Sequence, residues 1–294
     1  MGLSLAMTAP VGVQTGDAAR SLGVGEVREW AKTTRSPRTR REIQARVREL
    51  GIADEEPRAV LVVEALDEVR DAADDDTRVH WVRYFRGDSP STRRGVVDAG
   101  LWNNEMTQEL ADVATRLREG GNRSVVVRGV MRLPTWFAAG RALSDVAGFD
   151  VAAMDRGELW QPGPGAAPPE LVVQIDEHAA GPADHVALVV QISAEGVDDV
   201  REALGDSVGR IVAVTLAGGP DRRLFASGAD AFAAAVVVRD WVRRNLQGLS
   251  IHMVLVASGP YALFLGHLWD RVPATTIYED LAPGYEAAFE FRNS

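Results

Sequence analysis

Residues 125–154 read VVVRGVMRLPTWFAAGRALSDVAGFDVAAM, and residues 251–280 read IHMVLVASGPYALFLGHLWDRVPATTIYED. Both segments begin with a run of apolar residues, pass through a turn into an apolar segment of helical character, and end in a second short apolar run. Runs rich in β-branched residues are typical of buried strands, and the longer apolar segment after the turn is typical of a helix. The sequence therefore predicts strand, turn, helix and strand in each segment.

The two segments align without a gap at a constant offset of 126 residues. Pro134 aligns with Pro260, and Gly140 aligns with Gly266. Proline suits the start of a helix because its missing N–H would have no intrahelical partner there, and glycine lets a helix backbone come close to a sheet. We interpret the pattern as a duplicated α/β unit whose copies are related by a pseudo-twofold rotation. The alternative is that any two units of a buried strand and a covering helix share this pattern.

Composition limits the class of protein. The chain has 294 residues, of which 46% are hydrophobic and 25% charged, enough for one large or two medium domains. It has no cysteine, which excludes disulfides, thiolate metal sites and a cysteine nucleophile. The net charge of −10 argues against a surface for long duplex nucleic acid. No apolar run reaches the ~20 residues that span a bilayer, so we expect a cytoplasmic protein, and we expect no cofactor.

The order of the predicted elements divides the chain. Residues 1–75 show helical spacing, last in EEPRAVLVVEALDEVRDAADD, and the acidic run at 74–76 marks a boundary. Strands and helices then alternate through a first unit at 76–160 and a second unit at 171–294, as in parallel sheets with right-handed crossovers. Between them QPGPGAAPPE is a linker, because its prolines and glycines continue neither a helix nor a central strand. The predicted fold class is α/β: two fused units after a small helical region.

Signatures of catalysis are missing from the sequence. We find no glycine-rich dinucleotide loop, Walker loop, zinc-protease motif or nucleophile elbow. Only His178 and His185 have a spacing that suits metal ligands, and with Asp176 and Glu177 they form at most a chance site. We therefore name no catalytic residue and no metal site.

A ligand-binding site is better supported by the pattern. Each duplicated strand leads into a helix N-terminus, at Met131–Thr135 and at Ala257–Tyr261. The free backbone N–H groups and the dipole of a helix N-terminus attract anions, and phosphates above all. The loop GGPDRRLFASG at 218–228 follows a strand of the second unit, and Arg93 and Arg94 lie in a loop of the first.

Arginine clamps phosphate, and an aromatic face stacks on a base. For the arginines the alternative is a solvated loop, and for Trp136 and Tyr261 it is ordinary packing of a helix on a sheet. The candidate ligand-binding residues are Trp102, Arg132, Thr135, Trp136, Arg222, Arg223, Phe225, Ser258 and Tyr261.

The strand before RLPTWFAAGRAL, the Gly/Pro linker and the closing sequence SGPYALFLGHLWDRVPATTIYEDLAPGYEAAFEF resemble the SAVED domain of bacterial antiviral systems. The resemblance covers residues 78–294. It implies two fused CARF-like Rossmann-type units that bind a cyclic oligonucleotide second messenger. Members of the family usually carry an N-terminal effector, whereas residues 1–75 contain no histidine, no cysteine and no metal-binding carboxylate set. Either the effector is a separate partner, or the sequence is shortened, or these residues form an adaptor.

We therefore expect a sensor of a cyclic oligoadenylate, or of a related cyclic tri- or tetranucleotide, rather than an enzyme. Its output is expected to be ligand-dependent homo-oligomerisation or an effector partner bound through residues 1–75. Two alternatives remain open. One is a ring nuclease that cleaves the same messenger, and the other is a DNA-binding regulator whose N-terminal helices form a helix-turn-helix and whose α/β part senses a metabolite. The arginine-rich TTRSPRTRR at 33–41 suits nucleic acid, but it carries no interleaved aromatic residues, and such charge runs are usually solvated faces.

Overall fold

The computed structural model describes residues 58–73, 76–163, 166–177 and 179–292. The chain divides into two compact units, residues 1–57 and residues 58–294, and the fold that follows is that of the second unit. The helices predicted within residues 1–57, with their arginine-rich stretch, lie outside the described residues.

The first half of the described unit contains a five-stranded sheet. Its elements are β1 Ala59–Glu64, β2 Thr77–His80, α1 Thr107–Glu119, β3 Ser124–Val130, α2 Leu133–Ala142, β4 Asp150–Asp155 and β5 Glu158–Trp160. A π-helical turn at Trp102–Met106 leads directly into α1. The strand order is β2-β1-β3-β4-β5, in which the first four strands run parallel and β5 runs antiparallel to β4.

The second half contains a six-stranded sheet. Its elements are β6 Leu171–Asp176, β7 His185–Gln191, α3 Val197–Leu204, β8 Arg210–Leu216, α4 Gly228–Asn245, β9 Ser250–Val256, α5 Gly259–His267, β10 Thr275–Asp280 and β11 Tyr285–Phe291. The strand order is β11-β10-β9-β7-β8-β6, with the four central strands parallel and both edge strands antiparallel to their neighbours. The chain passes from the first sheet to the second through residues 161–170.

The predicted duplication is confirmed, and it extends beyond the two aligned segments. Strands β3 and β9 have the same bounds once the offset of 126 is applied, and α2 and α5 begin at equivalent residues. The order β8-β7-β9-β10-β11 of the second sheet repeats the order β2-β1-β3-β4-β5 of the first, including the antiparallel last strand. Strand β6 is an addition at the edge of the second copy. The fold is therefore two fused Rossmann-like halves.

One sequence prediction is wrong at the start of the first half. Residues 59–64 were predicted as part of a helix, but they form β1, which pairs with both β2 and β3. The segment AVLVVE is apolar and largely buried, and a continuous apolar run cannot be told from a buried helix by periodicity alone. The acidic run at 74–76 consequently falls between β1 and β2, inside the first sheet, rather than before it.

Helices α2 and α5 cross at the glycines that the alignment singled out. A Cβ at Gly140 would lie 2.0 Å from the carbonyl oxygen of Leu263, and a Cβ at Gly266 would lie 2.0 Å from that of Phe137. Phe137 and Leu263 are themselves related by the offset of 126, so the contact is reciprocal, as a twofold rotation requires. The glycines therefore bring two helices together, and not a helix and a sheet as the sequence was interpreted to show.

Both crossing helices are buried between the halves. Seven consecutive residues of α2, Pro134 to Gly140, are buried, and so is α5 from Pro260 to His267. A helix that is apolar on every side needs this environment. One continuous core contains residues from both sheets, from Leu61 in β1 to Phe289 in β11. Among the helices of the described residues, none combines the length and the apolar character needed to cross a bilayer.

Candidate functional site

A depression of about 490 Å³ lies where the carboxyl ends of β3 and β9 lead into α2 and α5. Two pairs of its lining residues are related by the offset of 126, Met131 with Ala257 and Leu133 with Gly259. It therefore lies on the pseudo-twofold axis, at the carboxyl ends of strands where ligands of open α/β sheets bind. We name it the central depression, and it is lined by Met131, Leu133, Trp136, Asp155, Arg156, Glu158, Trp160, Ser193, Arg222, Phe225, Ala257, Ser258 and Gly259.

Two helix N-termini open onto the central depression. Arg132 and Ser258 are the N-cap residues of α2 and α5, and neither side chain caps its helix with a hydrogen bond. The hydroxyl of Ser258 is buried and has no hydrogen-bond partner among the described residues. The first backbone N–H groups of a helix lack an intrahelical acceptor and carry the positive end of its dipole. Both termini therefore suit an anion such as a phosphate.

Trp136 packs across the N-terminus of α5. A Cβ at Gly259 would lie 2.5 Å from Nε1 of Trp136, so the indole needs glycine at that position. Only 4% of Trp136 is exposed. Packing is therefore the main role of this residue, and it contributes apolar surface to the wall of the depression.

Arginines and aromatic residues surround the rest of the central depression. Arg222 is exposed on the loop after β8, and Arg156 is exposed in the turn between β4 and β5. Trp160 and Phe225 are partly exposed, and the ring of Phe225 stacks on that of Tyr261 with a centroid distance of 5.6 Å. The depression thus offers guanidinium groups for phosphates and aromatic faces for bases.

Four of the predicted ligand-binding residues line the central depression: Trp136, Arg222, Phe225 and Ser258. Arg223 is exposed on the same loop as Arg222 but does not line it.

Thr135 and Tyr261 are fully buried in the helices beside the depression. The hydroxyl of each has no hydrogen-bond partner among the described residues. Burial raises the pKa of the Tyr261 hydroxyl far above its ordinary value. For Tyr261 the packing interpretation of the sequence therefore fits better than stacking on a ligand.

The prediction of Trp102 as a ligand contact is corrected by its burial in the core. Its ring packs edge to face on Phe85 at 5.4 Å and on Phe289 at 4.9 Å, and no part of it is exposed. Its Nε1 donates a hydrogen bond to Glu286 at 3.1 Å. The π-helical turn before α1 directs this side chain inward against β11, which the sequence did not reveal.

Arg132, unlike Arg222, does not line the central depression. Nε of Arg132 lies 3.5 Å from Oε1 of Glu279, and Nη2 donates to the backbone carbonyl of Arg93 at 2.8 Å. Glu279 is 1% exposed, and burial raises the pKa of its carboxyl to about 8 although Arg132 acts in the opposite direction. Arg132 is therefore held by the β10 strand of the second half.

The central depression is bordered by the loop after β8 and the β4–β5 hairpin. At the place that the pseudo-twofold rotation relates to this border, the equivalent loop and hairpin are in contact. There the loop after β2 contacts the β10–β11 hairpin through Arg86 and Glu286 at 2.8 Å, and through Arg94 and Asp280 at 3.8 Å. The corresponding loop after β8 and the β4–β5 hairpin carry Arg222 and Arg156, for which no described residue forms an ion pair. The central depression therefore receives one arginine from each half, Arg156 from the first and Arg222 from the second.

Sequence reasoning missed Arg156 and Trp160. The sequence DRGE at 155–158 could have predicted the hairpin that carries them. Glycine at the second position of a two-residue turn between short strands favours a β-hairpin. Arg156 has φ of 50° and Gly157 has φ of 82°, as such a turn requires. The hairpin pairs Trp160 with Ala153 and so returns its side chain to the depression.

The described residues contain no group of three or more potential ligands that could hold a metal ion. His178 lies outside the described residues. Nδ1 of His185 lies 2.8 Å from Nε2 of His252, whose Nδ1 lies 2.8 Å from the hydroxyl of Tyr278. Burial lowers the pKa of His252, and His185 adds to this effect. These side chains connect β7, β9 and β10 and do not line the central depression.

Two Rossmann-like halves with a shared depression at the carboxyl ends of their strands define a class of fused, duplicated ligand-binding α/β domains. The family model of the SAVED domain, the "SMODS-associated and fused to various effectors sensor domain", matches residues 106–291. The chain therefore belongs to the SAVED family, as the sequence resemblance implied.

Solved structures share the fold at low sequence identity. The Acinetobacter baumannii Cap4 SAVED/CARF-domain containing receptor with the cyclic trinucleotide 2'3'3'-cAAA is 12% identical, with a TM-score of 0.62 over 85% of this chain and 54% of that chain. The same receptor with 3'3'3'-cAAA has a TM-score of 0.61 at 12% identity, over 85% of this chain and 56% of that one. The Moraxella osloensis Cap4 receptor has a TM-score of 0.58 at 11% identity, over 85% and 53%.

This chain spans about half the length of those structures, and at such identity the likeness shows the fold alone. A search of curated proteins found no match.

Proposed function

We propose that this chain is a receptor for a cyclic oligonucleotide, bound in the central depression, and that it acts in antiphage defence. The observation that carries the proposal is the coincidence, on one pseudo-twofold axis, of two uncapped helix N-termini with arginines and aromatic faces. A ring of nucleotides joined by phosphates needs repeated anion sites and repeated stacking surfaces. Support also comes from the Acinetobacter baumannii Cap4 receptor of the same fold, which was solved with cyclic trinucleotides.

The proposed roles follow from the chemistry of each group. Phosphates are bound by the N-terminal N–H groups of α2 and α5 and by Arg222 and Arg156. Bases stack on Trp160 and Phe225, whose faces are partly exposed. The carboxylates of Asp155 and Glu158 accept hydrogen bonds from exocyclic amino groups, which suits adenine. A cyclic oligoadenylate of three or four nucleotides is therefore our proposed messenger.

Replacing Arg222 by alanine is expected to weaken binding of the messenger by about 1.5 to 3 kcal/mol, the contribution of a hydrogen bond to a charged group. The measurement is a calorimetric titration with the cyclic tri- or tetranucleotide that raises the melting temperature most in a thermal-shift panel. The matched control is Arg244→Ala, since Arg244 is an exposed arginine on α4 outside the depression. Wild-type affinity in both Arg222→Ala and Trp160→Ala would place the ligand elsewhere.

Incubation of the protein with the same messenger separates a receptor from a ring nuclease. A receptor returns the messenger intact after long incubation, whereas a nuclease converts it to linear products. Binding of duplex DNA that weakens steeply with salt would instead support the regulator with an N-terminal helix-turn-helix.

The output of binding is proposed to be assembly, or recruitment of an effector through residues 1–57, the part of the predicted N-terminal region that precedes β1. A domain that does no chemistry transmits binding only if the ligand prefers one assembled or partner-bound state. The net charge of −10 disfavours spontaneous self-association, because like-charged surfaces repel. Light scattering is therefore expected to show a larger particle when the messenger is added. A constant particle mass, together with the same partners retained by the full chain and by a variant without residues 1–57, would contradict this prediction.

A further inference from the structure

A second depression, of about 590 Å³, lies at the carboxyl ends of β7 and β8 beside the first turn of α3. We name it the acidic depression, and it is lined by Val172, Gln174, Gln191, Glu195, Gly196, Val197, Asp198, Asp199, Arg201, Thr215, Leu216, Gly219 and Pro220. It shares no lining residue with the central depression. The two loops that follow β7 and β8 join between them, where the backbone N–H of Asp221 donates to the carbonyl of Ile192 at 2.9 Å.

Carboxylates dominate the charge of this depression. Its one cation, Arg201, pairs with Asp198 and, at 3.2 Å, with Asp176. Glu195 and Asp199 have no ion pair with any described residue. Asp198 and Asp199 occupy the first turn of α3 and so already offset the positive end of its dipole. This helix N-terminus therefore does not attract an anion, and the depression favours a cation.

The floor of the acidic depression contains an unsatisfied polar group. Thr215 is 8% exposed, and its hydroxyl has no hydrogen-bond partner among the described residues. Buried hydroxyls are normally paired, and leaving one unpaired is unfavourable. Gln191 is 6% exposed beside it, and its Oε1 accepts the backbone N–H of Gly196 at 3.2 Å, which fixes the adjoining loop.

Apolar side chains line the acidic depression together with these polar groups. Val172, Val197 and Leu216 line the depression together with Pro220. Apolar lining beside carboxylates matches a methylene chain that carries an ammonium group. The described residues contain no group of three or more potential metal ligands, and the apolar lining of the depression favours an organic cation.

We infer that the acidic depression binds a primary alkylammonium group, with Glu195 and Asp199 as counter-ions and the Thr215 hydroxyl as an additional acceptor. Such a group is carried either by a free polyamine or by a lysine side chain. The inference goes beyond the proposed messenger site, because the two depressions share no residue and the ligands have opposite charge.

The test is a thermal-shift and calorimetric titration of the full chain at constant ionic strength. The probes are 1,4-diaminobutane, spermidine and Nα-acetyl-lysine amide, with 1,4-butanediol as a neutral analogue of the same length. The ammonium probes are expected to raise the melting temperature by preferential binding to the folded state, and the diol is not. Tighter binding of the diamines identifies a polyamine, whereas equal binding of the lysine amide identifies a lysine side chain. No stabilisation by any ammonium probe would overturn the inference.

Variants locate the site. The double variant Glu195→Gln with Asp199→Asn is expected to weaken ammonium binding by about tenfold or more, since it removes both counter-ions. The control Glu202→Gln removes one charge from the same helix at an exposed residue outside the depression and should bind normally. Thr215→Val is expected to keep the melting temperature of the free protein and still weaken binding, because its hydroxyl has no partner in the fold. An equal loss in Glu202→Gln, or normal binding in the double variant, would contradict the proposed site.

Discussion

Replacing Gly140 by alanine is expected to lower the free energy of unfolding by about 3 kcal/mol. In an ordinary helix interior the same change is stabilising by up to about 1 kcal/mol, because alanine is the better helix former. Here the new Cβ would lie 2.0 Å from the carbonyl oxygen of Leu263, so α2 and α5 must move apart. Both helices are buried in the core between the halves, and their separation loosens that core. Urea denaturation followed by circular dichroism measures the change.

The pseudo-twofold relation gives this prediction its controls. Gly266→Ala places a Cβ 2.0 Å from the carbonyl oxygen of Phe137 and should be equally destabilising. The double variant should cost less than the sum of the two, because both substitutions act on one helix spacing. Gly163→Ala, where the nearest atom to the new Cβ lies at 3.4 Å, should leave stability nearly unchanged. A stabilised Gly140→Ala variant would show that the helices do not cross at these glycines.

The duplicated fold could be predicted because its signal is local. An apolar strand, a proline at the start of a helix and a glycine within it all lie within each aligned segment, and the offset of 126 needed no knowledge of tertiary contacts. Strand β1 was mistaken for a helix because a short strand buried on both faces has no alternation to reveal its period. Its pairing partners are known only once β3 is placed beside it.

The candidate site could be predicted only in part, for a similar reason. Arg222, Phe225 and Ser258 follow the carboxyl ends of strands, which is where the topology brings ligand contacts together. Arg132 occupies an equivalent place in the chain, but its partner Glu279 is far away in sequence and belongs to the other half. Nothing local distinguishes an arginine that faces a ligand from one that contacts a distant carboxyl group.

The difference between the halves has a functional consequence. In the first half, Arg86 and Arg94 of the loop after β2 form ion pairs with Glu286 and Asp280. These ion pairs hold the loop against the second half. In the second half the equivalent loop leaves Arg222 for a ligand. The two equivalent places therefore differ: one joins the halves through ion pairs, and the other leaves Arg156 of the first half and Arg222 of the second at the wall of the central depression.

The wild-type protein is expected to lose on the order of 4 kcal/mol of stability relative to Glu279→Gln as the pH rises from 4.5 to about 8. Glu279 is 1% exposed, its Oε2 has no partner among the described residues, and burial raises the pKa of its carboxyl from 4.5 to about 8. In the unfolded chain this carboxyl ionises near 4.5, whereas the folded protein keeps it protonated. Unfolding therefore releases a proton between these values, and stability falls as pH rises.

Glutamine at position 279 keeps the neutral form at every pH, so the variant lacks this contribution. Urea denaturation at intervals from pH 5 to pH 9 should show the stability of the wild type falling relative to that of the variant as pH rises. A constant offset from the amide protons of glutamine does not affect this slope. Glu119→Gln, at the exposed end of α1, serves as the matched control and should run parallel to the wild type. Parallel curves for wild type and Glu279→Gln would mean that Glu279 is already ionised beside Arg132, and that their contact is an ordinary buried ion pair.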